Sequence, residues 1–140
     1  MLISTKGRYA LRVMLELASG DGSGYMPLPE IARKQHISEK YLESIVSMLS
    51  KAGEIEGLRG KNGGYRLSKN PNEYTVGEIL RLTEGSIAPV SCLDCKPNPC
   101  EYASTCKTLP LWEKLDTVIC NYLDSVKLSD LLGEPNDYQI

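Results

Sequence analysis

Four of the five cysteines fall within one short stretch, Cys92, Cys95, Cys100 and Cys106, spaced C-x2-C-x4-C-x5-C. Between them lie Pro97, Pro99 and small or polar residues, a composition that cannot build a hydrophobic core and suits a loop folded around something it ligates. Four thiolates can hold an iron-sulfur cluster or a structural zinc, since both accept tetrahedral sulfur ligation. Zinc knuckles usually carry two C-x2-C pairs; the single pair here leans away from zinc. The same thiols can also serve without metal, through redox or disulfide chemistry. Cys120 stands apart within a helical pattern and reads as a packed core or interface thiol. His36 is the sole histidine, has no cysteine near it in sequence, and reads as a surface or partly packed side chain rather than a ligand.

The rest of the chain must position this loop. At 140 residues, 41% hydrophobic and 24% charged, it has the size and composition of one soluble globular domain. No apolar run approaches the roughly 18 residues that span a bilayer, and the start MLISTKGRYALR lacks the regions of a signal peptide. A cytoplasmic protein with no membrane partner is expected. In that reducing compartment clustered thiols are metal sites or redox groups more often than structural disulfides, and an odd number of cysteines fits that use. Charge divides the chain: residues 1–70 hold 11 Lys and Arg against 7 Asp and Glu, residues 71–140 hold 5 against 11. Only the N-terminal half offers a surface for a polyanion.

In that half, Ser4 or Thr5 caps a first helix whose Leu11, Met14, Leu15 and Ala18 form a stripe expected to be buried. Pro29 opens a short second helix, PEIARKQ, and Ser38 caps a third, SEKYLESIVSMLSKA, with Leu42, Ile45, Val46 and Leu49 at helical spacing. Two strands follow, Ile55 to Leu58 and Tyr65 to Leu67, joined by a glycine-rich turn that contains Asn62-Gly63, a strong hairpin signal. A helix-turn-helix followed by a hairpin is a winged helix. Its wing tip carries Arg59, Lys61 and Arg66 among Gly60, Gly63 and Gly64, so the backbone can approach a phosphate or a minor groove while cations attract it. On the third helix Ser38, Glu39, Lys40, Tyr41, Glu43 and Ser44 offer donors and acceptors at major-groove reach.

In the C-terminal half, Thr75 and Glu78 form a capping box for the helix VGEILRLTE, with Ile79, Leu80 and Leu82 as its apolar positions. The chain then enters the cysteine loop. Beyond it, Thr108 and Pro110 start the helix LWEKLDTVICNYLDSV, which bears two neighbouring apolar stripes: Leu111, Leu115, Val118 and Tyr122, and Trp112, Ile119, Leu123 and Val126. So wide a face predicts dimerisation, and a two-fold dimer presents two recognition helices about 34 Å apart, one DNA turn. The fold class expected is mainly α with a small β-hairpin wing: a winged helix-turn-helix plus a long C-terminal dimerisation helix. Its divisions are a DNA-binding region at 1–70, a linking helix at 71–90, the cysteine-rich cluster loop at 91–108, the dimerisation region at 109–132 and a disordered tail at 133–140, all in one compact unit.

The segments LISTKGRYALRVMLELA, ISEKYLESIVSMLSKAGEIEGLRGKNGGYRLSK and YTVGEILRLTEGSIAPV, with the cysteines followed by LWEKL, resemble the IscR-type branch of the Rrf family of bacterial winged-helix transcription regulators. The likeness covers nearly the whole chain apart from the first loop and the tail. It implies a homodimer that binds double-stranded DNA through wings and recognition helices, and a cysteine loop whose iron-sulfur cluster, 2Fe-2S favoured over 4Fe-4S, alters DNA affinity. By position, Cys92, Cys100 and Cys106 match the family's three cluster cysteines, while Ser38 to Ser44, Arg59 and Gly63-Gly64-Tyr65 match its DNA-contacting elements. Two positions depart from the pattern. Leu109 stands where the family can place a histidine ligand, and Arg8 where it can place an acidic ligand from the partner subunit. Cys95 is what this chain offers instead: an all-cysteine site is one reading, a free or alternating Cys95 another. The function implied is a non-enzymatic regulator that senses cluster, redox or nitric oxide status. Its rivals are a regulator sensing through thiols or a partner enzyme, and a zinc-stabilised interaction adaptor.

Overall fold

A computed structural model describes residues 3–20 and 24–133. Along it run α1 (Thr5–Ala18), α2 (Leu28–Gln35), α3 (Glu39–Lys51), β1 (Ile55–Leu58), β2 (Gly64–Leu67), α4 (Val76–Glu84) and α5 (Leu109–Ser125), with 3-10 turns at Pro71–Glu73, Ser91–Leu93 and Leu128–Leu132. The mainly α class with a hairpin wing is what the chain adopts. The expected tail, apart from Gly133, lies outside the described residues.

α1 is central. Ser4 caps it, its hydroxyl accepting from the Gly7 N–H at 3.1 Å. The Ser4 N–H and hydroxyl both donate to Glu84 Oε1, at 3.1 and 2.6 Å, which sets a carboxylate beside the positive end of α1. A Cβ at Gly7 would collide with that carboxylate, so a glycine is needed where the end of α4 crosses α1. The buried face differs from the one expected. Ala10, Val13, Met14 and Leu17 are buried, whereas Leu11, Leu15 and Ala18 are only partly covered. The reason is that α1 packs on several sides at once, against α2, α3 and β2 as well as α4 and the Leu128–Leu132 turn, so its covered face is broad and rotated.

α2 ends at His36, whose left-handed backbone (φ 54°) turns the chain and buries Ile37. Ser38 then caps α3 by accepting from the Tyr41 N–H. Leu42, Ile45, Val46 and Leu49 of α3 lie in the main core with Ile31 and Ile55; each such side chain contributes about 1.5–3 kcal/mol by leaving water. β1 and β2 pair antiparallel, Ile55 opposite Leu67 and Leu58 opposite Gly64. Met26 adds a bridge to the outer edge of β2, exchanging backbone hydrogen bonds with Tyr65 at 2.8 and 2.9 Å.

The wing is anchored by a residue that its sequence position does not announce. Tyr74 is fully buried; its hydroxyl donates to the Glu54 carbonyl at 2.6 Å and accepts from the N–H groups of Ser68 and Lys69. One phenol thus ties the entry and the exit of the hairpin to the start of α4. Burial, more than any other influence, raises its pKa above the ordinary tyrosine value. α4 begins with the expected capping box between Thr75 and Glu78. Leu82 departs from expectation: Val76, Ile79 and Leu80 are buried, but Leu82, two residues and about 200° round the helix from Leu80, faces outward. Val76, Leu80, Ile87 and Val126 form a second small core, flanked by Cys120 and Leu123 of α5.

Candidate nucleic-acid interface and cysteine loop

Ser38, Glu39, Lys40, Glu43 and Ser44 are exposed along the start of α3. Tyr41 is not a free member of that set. It is half-buried, and its ring meets Tyr9 edge-on, with centroids 5.8 Å apart, joining α3 to α1. The Ser44 hydroxyl donates to the Tyr41 carbonyl at 2.7 Å. Ser47 and Lys51, beyond the residues expected from the sequence, continue the exposed face; their spacing of three and four from Ser44 and Ser47 is the sequence signal that marks them.

At the wing tip Arg59, Gly60, Lys61 and Asn62 are exposed. Gly60 (φ 95°) and Asn62 (φ 64°) take left-handed conformations, and the Gly63 N–H closes the turn on the Gly60 carbonyl. Gly63, Gly64 and Tyr65 are half-buried and shape the hairpin. A Cβ at Gly63 would strike the Leu58 carbonyl, one at Gly64 the Met26 backbone, and the Tyr65 ring lies against Gly57. Arg66 is likewise occupied, paired with Glu56 at 3.0 Å and stacked 4.6 Å from the Tyr25 ring centre. Among the described residues no ion pair engages Arg59 or Lys61, which leaves them as the wing's available cations.

The cysteine loop leaves α4 at Gly85 and rejoins the fold at α5. The two helices that bracket it are clasped by Arg81 and Asp124, with Nη1–Oδ1 at 2.7 Å and Nη2–Oδ2 at 3.0 Å. Arg81 holds the Asp124 carboxyl below its ordinary pKa. Inside the loop the Ser86 hydroxyl donates to Asp94 Oδ1, and Asn98 Oδ1 accepts from the Cys100 N–H at 2.9 Å. All the cysteines are free thiols; Cys92 and Cys106 are half-buried, Cys95 and Cys100 exposed. Cys106 Sγ lies 3.4 Å from Thr108 Oγ1, and that hydroxyl, helped by the N–H groups of Thr108 and Leu109 at the start of α5, lowers the thiol's pKa.

By donor type the loop fits an iron-sulfur group: four thiols, no histidine within it, and a buried amide N–H donor, Asn98 Nδ2, that has no acceptor among the described residues. By position, no three His, Cys, Asp or Glu side chains among the described residues are grouped so as to hold a metal ion. Leu109 begins α5, and the exposed Arg8 donates to Thr5 Oγ1, so neither supplies a ligand in place of Cys95. His36 is exposed.

α5 separates its two stripes. Val126 is buried, and Leu123 and Cys120 pack on the second core, with Trp112 and Ile119 half-covered. Leu111 (59%), Leu115 (39%), Val118 (57%) and Tyr122 (41%) remain exposed, a continuous apolar strip on the outer face. No helix among the described residues is long and apolar enough to cross a membrane.

The family described as Rrf2, iron-dependent transcriptional regulator, matches residues 3–134. The HTH-type transcriptional regulator CymR of Bacillus subtilis is 42% identical over 132 residues, covering 94% of this chain and 89% of its own. Its solved structure, that of the global cysteine regulator of B. subtilis, superposes with a TM-score of 0.78 at 41% identity, over 94% of this chain and 96% of that one. The HTH-type transcriptional regulator IscR of Aliivibrio salmonicida is 35% identical over 140 residues, covering all of this chain and 82% of its own. The solved structure of T. potens IscR gives a TM-score of 0.75 at 36% identity, over 94% of this chain and 86% of that one.

Proposed function

The chain belongs to the Rrf2 family of transcription regulators and is not an enzyme; from that premise we propose a cytoplasmic homodimer whose cysteine loop binds an iron-sulfur cluster and adjusts the affinity of its winged helices for DNA. The observation that carries the DNA-binding part is the pairing of two available cations, Arg59 and Lys61, on a glycine-shaped hairpin with the exposed face of α3. The face from Ser38 to Lys51 enters a major groove, Lys40, Glu43, Ser44 and Ser47 meeting base edges or phosphates, while Arg59 and Lys61 follow the backbone into the neighbouring minor groove. Gly63, Gly64 and Tyr65 act by holding the wing at the angle this needs.

The apolar strip Leu111, Leu115 and Val118 supplies the dimer contact, and two-fold symmetry then sets two α3 helices against a palindromic site. Cys92, Cys100 and Cys106 hold the cluster, with Cys95 as the fourth thiolate, 2Fe-2S before 4Fe-4S. The bound group supplies a link that oxidants, nitric oxide or iron shortage can remove. What the chain itself contributes is placement. The loop is strung between α4, which packs on α1, and α5, which carries the dimer strip, so ordering the loop biases how the two winged helices sit.

The test uses full-length protein purified anaerobically, with a palindrome selected from random duplexes. Iron and sulfide should be present, and binding should be salt-sensitive and about tenfold weaker in Arg59→Ala, with a shallower salt dependence. Absence of iron and sulfide sinks the cluster; absence of sequence-specific binding sinks the whole reading.

A second reading is favoured by five free thiols of which no three are grouped among the described residues. In it the loop senses oxidants through individual cysteines. Metal-free protein whose DNA affinity changes on mild oxidation, with the modified cysteine identified by mass spectrometry, would select it.

A further inference from the structure

Within the cysteine loop one side chain is half committed. Asn98 sits between Cys95 and Cys100, and its Oδ1 accepts from the Cys100 N–H at 2.9 Å. That bond fixes which way the amide is turned, because a reversed amide would set N–H against N–H. Nδ2 is therefore a true donor. It is shielded from solvent, and no acceptor among the described residues meets it. Buried amide donors are almost always satisfied. The polar atoms peculiar to this loop, and absent from ordinary loops, are sulfurs.

We infer that Asn98 is a positioning and tuning residue for the bound group: its carbonyl sets the backbone at Cys100, and its amide N–H donates to a sulfur of the cluster or of a ligating thiolate. This rests on the iron-sulfur reading above. A hydrogen bond to sulfur withdraws negative charge and favours the reduced, more negative state of the group, so Asn98 raises the reduction potential and slows loss of the ligand it supports. The role differs from that of a ligand. Removing Asn98 leaves the thiol set intact and changes the electronics.

Asn98→Asp separates the two halves of the side chain, because it keeps an acceptor for Cys100 N–H and removes the donor; Asn98→Gly removes both without adding charge. Full-length wild type and both variants are prepared anaerobically and compared by iron and sulfide content, midpoint potential, and iron-sulfur stretching frequencies in H2O and D2O. The expected result is full loading of the wild type with deuterium-sensitive stretches. Both variants should show a smaller deuterium effect and a lower potential at comparable iron content. An undiminished deuterium effect in either loaded variant overturns the inference. So does loss of iron from both variants, which would assign Asn98 to the loop's fold alone. Wild type lacking iron and sulfide defeats the underlying cluster reading instead.

Discussion

Arg81 of α4 grips Asp124 of α5 through both carboxylate oxygens, and Gly77, one turn before Arg81, lies so close beneath that a Cβ there would collide with Oδ1. The clasp joins the two helices between which the cysteine loop is strung. Both side chains are more than a third exposed, so solvent screening holds their coupling to about 0.5–1 kcal/mol. Because Asp124 is held below the unfolded carboxyl value of about 3.9, its contribution is complete above that value. It disappears as pH falls through the lower folded pKa. The stability difference between wild type and Asp124→Asn, measured by urea denaturation, should be constant near neutrality and vanish in acid. A difference that grows as pH falls would contradict the clasp.

Tyr74→Phe should destabilise the fold by about 1–3 kcal/mol, because three backbone groups, the Glu54 carbonyl and the N–H groups of Ser68 and Lys69, lose the buried hydroxyl they share. Hydrogen exchange should quicken first at the base of the wing. An unchanged denaturation midpoint would show that water replaces the hydroxyl at no cost.

Gly64→Ala combines a positive φ of 147° with a collision against the Met26 backbone, whereas Gly60→Ala has a positive φ and open space around it. The former is expected to cost roughly 1–3 kcal/mol beyond the latter, read from their thermal midpoints. If both variants keep wild-type stability but lose DNA affinity, Gly64 contacts DNA rather than shaping the hairpin.

Val118→Asp introduces a charge into the exposed apolar strip of α5 without touching either core. Sedimentation velocity should show a monomer with unchanged helical content, and operator affinity should fall with the loss of the second winged helix. A dimer of wild-type strength would move the interface elsewhere.

Local signals determined most of the secondary structure. The caps at Ser4, Ser38 and Thr75–Glu78 and the Asn62-Gly63 turn act over a few residues, so spacing in the sequence is also spacing in space. The winged-helix elements and the clustering of the four cysteines in one loop were legible for the same reason. Tertiary structure decided what depends on residues remote in the chain. Glu84 closes on Ser4 across eighty positions and so explains Gly7, Tyr41 is withdrawn onto Tyr9, and the buried Tyr74 becomes the anchor of the wing. Arg66 is neutralised by its cross-strand partner Glu56. α5 shows the division most plainly: both stripes are apolar in sequence, and packing against α4, Ile87, Leu11 and Leu131 determines that the Leu123–Val126 side is covered while Leu111, Leu115 and Val118 face outward. Periodicity says that a helix has an apolar face; packing chooses what covers it.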